Sequence, residues 1–289
     1  MNTPLIVILG ETASGKSALA IELAEQCDGE IICADSRTIY QGMDIGTAKP
    51  TSDERARVPH HLLDVVEPDQ TFSVAQFQTL AKQAIEDIAA RGGVPIVVGG
   101  TGLYIDSLLF DLTFRSEPDL ALRAELEQLS IEELQAEIVR RGYVMPENNR
   151  NKRYLVRAIE ADGVVSTRGN LRANTLVLGL RTNKEVLEAR VTARVEAMVD
   201  AGFVNELSKL VKQYGEEAPG LNAPGYKAFL PYLRETCTLQ QAKNDFVRND
   251  MRLAKKQRTW FRRSIYQNSI QWVDNRSQAV DLVTTFLNK

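Results

Sequence analysis

The stretch "ILGETASGKSALA" (residues 8–20) leaves few folds open to this chain. A continuous apolar run, "LIVIL", feeds a loop of the form G-x-x-x-x-G-K-[ST], Gly10-Glu11-Thr12-Ala13-Ser14-Gly15-Lys16-Ser17, which opens a segment with helical spacing. A strand, loop and helix in that order turn backbone N–H groups inward on an anion, and the helix dipole adds to their pull. Lys16 is placed to neutralise a terminal phosphate, and the Ser17 hydroxyl is the candidate Mg²⁺ ligand. The expected fold class is therefore α/β, a P-loop-type parallel sheet flanked by helices.

The rest of the first hundred residues has the same rhythm. "EIICA" (30–34) reads as a second buried strand and ends in Asp35-Ser36. A helix follows Ser73, which has capping-box spacing to Gln76, while Phe72 and Phe77 have staple spacing and Gly92 is a stop. Phe77, Leu80, Ala81, Ala84, Ile85 and Ile88 form its expected core stripe. "VPIVVGG" is a third strand, running into Thr101-Gly102. From about Asp111 to Gly169 the chain turns charged and helical, and "NTLVLGL" then restores a buried strand. These shifts predict a core over 1–111 and 174–289, interrupted by a helical insertion over 112–173. "SIQWV" (269–273) is a candidate edge strand, with Trp272 expected in the core.

Composition narrows the classes further. A chain of 289 residues, 44 % hydrophobic and 25 % charged, can bury one large core and carry an insertion. A net charge of −3 gives no global attraction for polyanions, so any such surface must be local. Three cysteines, Cys27, Cys33 and Cys237, show no metal spacing and no even disulfide framework, and are expected as small buried apolar groups in a reducing compartment. No apolar run approaches the ~18 residues of a membrane span. A cytoplasmic protein without a membrane partner is expected.

By motif alone the loop suggests ATP. A P-loop kinase or ATPase, however, usually holds its metal with a carboxylate that ends a buried strand, and "VPIVVGGTG" ends in glycines and Thr101. Asp35 does end a strand, at the carboxyl edge beside the loop. Metal orientation, general-base work and turn capping are all open to it.

Around that aspartate the sequence reads "ADSRTIYQGMDIGTAKP", followed by "PHHLLDVVEP" and "VVGGTGLYIDSLL". With "RAIE" (157–160), "GYKAFLPYL" and "AKKQRTWFRR", these segments resemble the tRNA dimethylallyltransferases in order and spacing over most of the chain. The resemblance implies transfer of a dimethylallyl group from dimethylallyl diphosphate to the exocyclic amine of the adenosine 3′ of a tRNA anticodon. Gly10, Thr12, Ala13, Ser14, Gly15, Lys16 and Ser17 would then hold a diphosphate with Mg²⁺, and Asp35 and Thr101 would be catalytic. Its partners would be tRNA and the prenyl diphosphate, and a monomer is expected.

An RNA surface is implied as well, since the target base must leave its stack to be reached. Residues 248–263, "RNDMRLAKKQRTWFRR", carry seven Arg or Lys against one Asp, with Trp260 and Phe261 interleaved. By resemblance the tRNA contacts include Asp35, Ser36, Arg37, Thr38, Thr101, Arg123, Arg153 and Arg157. They extend to Asn222, Gly225, Tyr226, Lys227, Lys255, Lys256, Arg258 and Arg262. Arg190 and Arg194 share a helix face, where RNA binding or pairing with Glu188 and Glu196 are both open. His60 and His61 lack partners at zinc spacing and are read as structural hydrogen-bonders. The chain departs from the family pattern at Thr38, Tyr154, Pro224 and Asp250-Met251, where Gln, Arg, an aliphatic residue and Thr-Arg are frequent. A small-molecule kinase, an adenylate isopentenyltransferase and a noncatalytic RNA-binding protein are the competing readings.

Overall fold

Leu5, Ile6, Val7, Ile8 and Leu9 are all at 0 % exposure, because the strand they form has neighbours on both edges and helices over the sheet. The computed structural model describes residues 3–114, 120–162, 168–266 and 269–288. It divides into two compact units, Met1–Leu109 with Arg172–Lys289, and Phe110–Leu171.

In the first unit the elements run β1 (Leu5–Gly10), α1 (Lys16–Cys27), β2 (Gly29–Ala34), α2 (Ser52–Arg57), β3 (His60–His61), α3 (Val74–Ala90), β4 (Val94–Gly99) and α4 (Gly102–Leu109). The second unit supplies α5 (Leu120–Leu126), α6 (Ile131–Arg140) and α7 (Lys152–Glu160). The first unit then resumes with β5 (Thr175–Leu180), α8 (Lys184–Asp200), α9 (Phe203–Tyr214), α10 (Pro224–Leu233), α11 (Leu239–Phe261), β6 (Ile270–Val273) and α12 (Arg276–Leu287). Six strands form one parallel sheet in the order β3-β2-β4-β1-β5-β6. The strand order reverses between β1 and β4, so their carboxyl ends bound the crevice where such sheets bind ligands.

Local signals in the sequence account for several of these elements. Ser73 accepts from Gln76 N while Gln76 reaches back to Ser73 N, the reciprocal capping box that starts α3. The buried stripe of α3 is narrower than its spacing suggests, since Leu80 lies at the rim with 40 % exposure. His60 Nδ1 meets Val58 O at 2.7 Å and His61 Nε2 meets Glu30 at 2.6 Å, so both imidazoles tie β3 locally. Only Cys33 of the cysteines is buried, and burial pushes its thiol up to about 12. Trp272 also departs from expectation: it is half-buried on edge strand β6, with the Arg181 guanidinium 3.9 Å from its ring centroid.

The end of β4 is packed so tightly that glycine is required. A Cβ on Gly99 would stand 2.0 Å from the Ala34 carbonyl oxygen on β2. Gly99→Ala is expected to destabilise the fold by about 3 kcal/mol through overpacking at this strand pair, measured by urea denaturation. An unchanged midpoint would contradict that packing.

The second unit has its own core of Leu126, Leu134, Ile138, Leu155, Val156 and Ile159. Ser130 starts α6 with a capping box, and the Asn151 side chain caps α7. Among the described residues, no helix is long and apolar enough to cross a membrane.

Candidate active site

β1 delivers the phosphate loop to the crevice, and the loop's shape comes from two left-handed residues, Ala13 (φ 59°) and Gly15 (φ 94°). No side chain caps α1 at Gly15, which leaves that helix terminus for an anion. Ser14 Oγ is buried without a hydrogen-bond partner and lies 2.8 Å from where a Gly10 Cβ would be. An incoming phosphate oxygen would satisfy such a group. Lys16 Nζ donates to the Glu11 carbonyl at 3.1 Å. Burial lowers its pKa to about 8, aided by the like charge of Arg194 and opposed by the carboxylates of Asp35 and Glu11.

β2 and β4 end beside the loop and carry Asp35 and Thr101. Thr101 Oγ1 accepts the Ser36 N–H at 3.1 Å and donates to Ser36 Oγ at 3.4 Å, tying the two strand ends together. Asp35 Oδ1 accepts the Arg37 N–H at 2.8 Å, so this carboxylate does cap a turn and is thereby fixed in direction.

One cavity of about 320 Å³ joins these groups, with Thr12, Asp35, Ser36, Arg37, Thr101, Arg194, Asp250, Lys256, Gln257 and Trp260 among its lining residues. Three of these were not assigned to the site from sequence. Gln257 Oε1 accepts the Thr12 N–H at 2.8 Å, and its amide presses on Gly100, where a Cβ would fall 2.2 Å from Nε2. Arg194 Nη2 donates to Thr12 Oγ1 at 2.9 Å and to Asp250 Oδ2 at 2.5 Å, while its buried Nε has no partner. Burial pushes Asp250 up, Arg194 opposes that, and Asp35 adds to it. Of the readings left open for these two arginines, Arg194 pairs with a carboxylate, but with Asp250; Arg190 donates to Ser14 O at 3.4 Å, and Glu196 pairs with Lys243. A sequence signal for Asp250 and Gln257 does exist. The buried stripe of α11 runs Ala242, Phe246, Asp250, Ala254, Gln257, Phe261, and two polar residues on such a stripe need buried partners.

Of the expected RNA contacts in this unit, Asn222, Lys227, Lys255, Lys256 and Arg262 are exposed, and Ser36 and Arg37 line the cavity. Gly225 also lines the cavity, packed under Phe246. Three are buried or engaged within the protein. Tyr226 is at 0 % exposure, its hydroxyl donating to Glu206 at 2.6 Å. Thr38 is buried beneath the turn. Arg258 makes a two-pronged pair with Glu11 at 2.5 and 2.7 Å, which ties α11 to the phosphate loop.

In the second unit, Arg123, Lys152, Arg153 and Arg157 line a cavity of about 450 Å³ with Glu127 and Val156. Arg123 is already engaged by Glu160 through two bonds of 2.7 Å. The Arg157 pKa is lowered, by burial first and then by the like charges of Arg153 and Arg123. Cations crowded in this way gain most from an anion.

The sequence pattern of the IPP transferase family matches residues 38–264. The tRNA dimethylallyltransferase of Anoxybacillus flavithermus is 39 % identical over 286 residues, covering 95 % of this chain and 91 % of that protein. Among solved structures, the tRNA isopentenylpyrophosphate transferase of Bacillus halodurans is similar with a TM-score of 0.76 and 33 % identity, covering 99 % and 97 % of the two chains. A eukaryotic dimethylallyltransferase acting on tRNA gives a TM-score of 0.85 at 26 % identity, covering 99 % of this chain and 80 % of that one. With a family pattern matched across more than half its length and a relative this close over nearly all of it, the chain belongs to the IPP transferase family.

Proposed function

We propose that the protein transfers a dimethylallyl group from dimethylallyl diphosphate to N6 of the adenosine 3′-adjacent to a tRNA anticodon. The observation that carries this is the single cavity lined at once by Thr12 of the phosphate loop, by Asp35 and Thr101, and by the exposed-face Lys256. Thr12, Ser14, Lys16 and Arg194 bind the diphosphate, whose charge grows as the allylic carbon–oxygen bond breaks. Fixed donors aimed at that growing charge stabilise the transition state more than the ground state. Asp35, its Oδ1 engaged by Arg37 N, takes the N6 proton through its other oxygen as the nitrogen–carbon bond forms. Thr101, fixed by Ser36, positions the reacting groups. An aryl amine is a weak nucleophile, so this orientation carries much of the rate.

Among the described residues no cluster of three His, Cys, Asp or Glu could hold a metal. The Ser17 hydroxyl, in the first turn of α1 beside the uncapped helix start, would hold Mg²⁺, which would supply charge neutralisation on the leaving group.

For the acceptor, Lys255, Lys256 and Arg262 on the outer face of α11 and its end, with Asn222 and Lys227, are the proposed tRNA surface in the first unit. Arg153 and Arg157 are the proposed phosphate contacts of the second. Lys255→Ala with Lys256→Ala is expected to lower the slope of log K against log salt by about 1.5, since each phosphate left without its cation takes about 0.7–0.9 from that slope. Filter binding at several salt concentrations measures it, and an unchanged slope would remove both lysines from the RNA surface.

The function itself is tested with labelled dimethylallyl diphosphate and Mg²⁺, offering unmodified tRNA, AMP or no acceptor. Label in tRNA is expected. Label in AMP would indicate a free-nucleotide enzyme, and ATP hydrolysis without prenyl transfer would indicate a kinase-like one.

A further inference from the structure

The stretch "MDIGTAKP" (43–50) carries part of the family pattern, yet none of its residues has a role in the chemistry above. Its turn reaches the active cavity, where Gly46 and Thr47 line the wall together with Asp35 and Arg37. Three successive backbone N–H groups of this turn converge on one side chain. Glu206 of α9 accepts Asp44 N at 2.9 Å and Ile45 N at 2.7 Å through Oε2, and Gly46 N at 3.0 Å through Oε1. Tyr226 Oη donates to the same Oε1 at 2.6 Å. Consecutive N–H groups pointing one way form an anion nest, and here the anion is the chain's own carboxylate. Charge-assisted bonds of this kind are roughly twice as strong as neutral ones.

The rest of the turn is fixed just as firmly. Lys49, whose side chain is at 0 % exposure, reaches Asp44 at 2.6 Å, Asp64 at 2.5 Å and the Tyr40 carbonyl at 2.8 Å. Gly46 lies against the aromatic core, for a Cβ there would stand 2.2 Å from Phe203 and 2.7 Å from Tyr226. Glu206 itself does not line the active cavity. Three of its four bonds go to the turn and the fourth to Tyr226, so it reaches the site through neighbours and not by contact with a ligand.

We infer that Glu206 is a positioning residue for the acceptor: it clamps the 44–47 turn so that Gly46 and Thr47 form a rigid wall of the cavity beside Asp35. The inference rests on reading this cavity as the place where the adenosine meets the donor. Lys16 of the phosphate loop is held by the Glu11 carbonyl and not by this turn, so the clamp serves acceptor placement and not diphosphate binding.

The test is steady-state prenyl transfer by the full chain, varying tRNA at saturating dimethylallyl diphosphate and then the reverse. Glu206→Gln keeps the shape but turns one acceptor oxygen into an NH₂ facing N–H donors. It is expected to raise KM for tRNA about tenfold, as a wall displaced by a fraction of an ångström would, and to leave KM for the diphosphate within about twofold. Gly46→Ala should push the turn away from Phe203 and Tyr226 and give the same split. Glu206→Asp, which retains the carboxylate, should recover part of the loss, and Tyr226→Phe, which removes one of four bonds, should give a smaller change. If the two KM values shift together in step with Tm, or neither shifts, the clamp has no acceptor role and the inference fails. Absence of transfer by the unmodified protein would sink the underlying functional reading before any variant is made.

Discussion

Asp35→Ala is expected to lower kcat for dimethylallyl transfer by about 10³-fold, within the range that a positioned general base contributes, while tRNA affinity stays within a few-fold. Asp35 is one short side chain in a cavity where Ser36, Arg37 and Lys256 also line the wall, so removing it deletes the proton acceptor and little binding surface. Asp35→Asn should be nearly as slow, since the amide keeps an oxygen for Arg37 N but cannot accept the amine proton at neutral pH. Single-turnover rates at saturating substrates, with equilibrium tRNA binding measured alongside, make the check. Near-normal turnover in either variant would refute the base assignment. A large fall in tRNA affinity with little change in the single-turnover rate would make Asp35 an RNA contact instead.

The second large effect is on the donor side. Lys16→Ala should reduce kcat by about 10²–10³-fold, comparable to deleting one preorganised donor at a site of developing charge, and should weaken inorganic diphosphate in competition with the donor. Burial and Arg194 already press Lys16 toward its neutral form, so the ammonium is under-solvated before an anion arrives. Affinity for tRNA in the absence of donor should not change. Loss of tRNA binding in that experiment would show that the substitution disturbs the wider fold, and a wild-type rate would exclude the loop from the reaction.

Much of this site was legible because its parts lie at chain positions with strong local signals. The phosphate loop combines glycines at fixed offsets with a buried strand before it. Asp35 and Thr101 each follow an apolar run that can only be an interior strand, which places both at the carboxyl edge. The α3 capping box is equally local, as Ser73 and Gln76 satisfy each other. Longer-range pairings were not legible. Gln257 bonding to Thr12, Arg194 to Asp250, and Glu206 to Asp44, Ile45 and Gly46 join residues far apart in the chain, and nothing near each residue announces its partner. The basic character of residues 248–263 also hid the opposite face of the same helix. Read by charge, α11 is an RNA surface, whereas read by helical period it exposes Lys255 and Lys256 and buries Asp250 and Gln257. Tyr226 entered the expected RNA contacts by resemblance alone, and nothing in its immediate sequence shows that it packs with Phe203, Phe229 and Phe246 in the core.

The bonds from Gln257 to Thr12 and from Arg258 to Glu11 have a consequence for how the protein is made. They span 245 and 247 residues, so the phosphate loop leaves the ribosome long before the residues that complete it. β1 must wait for β5 before its second edge is paired, and Glu11, 4 % exposed in the finished protein, stays uncovered until α11 has emerged. Contacts of such long sequence separation slow folding and lengthen the exposure of unpaired strands. A chain interrupted before α11 would thus carry the whole phosphate-binding motif and still lack a finished donor site.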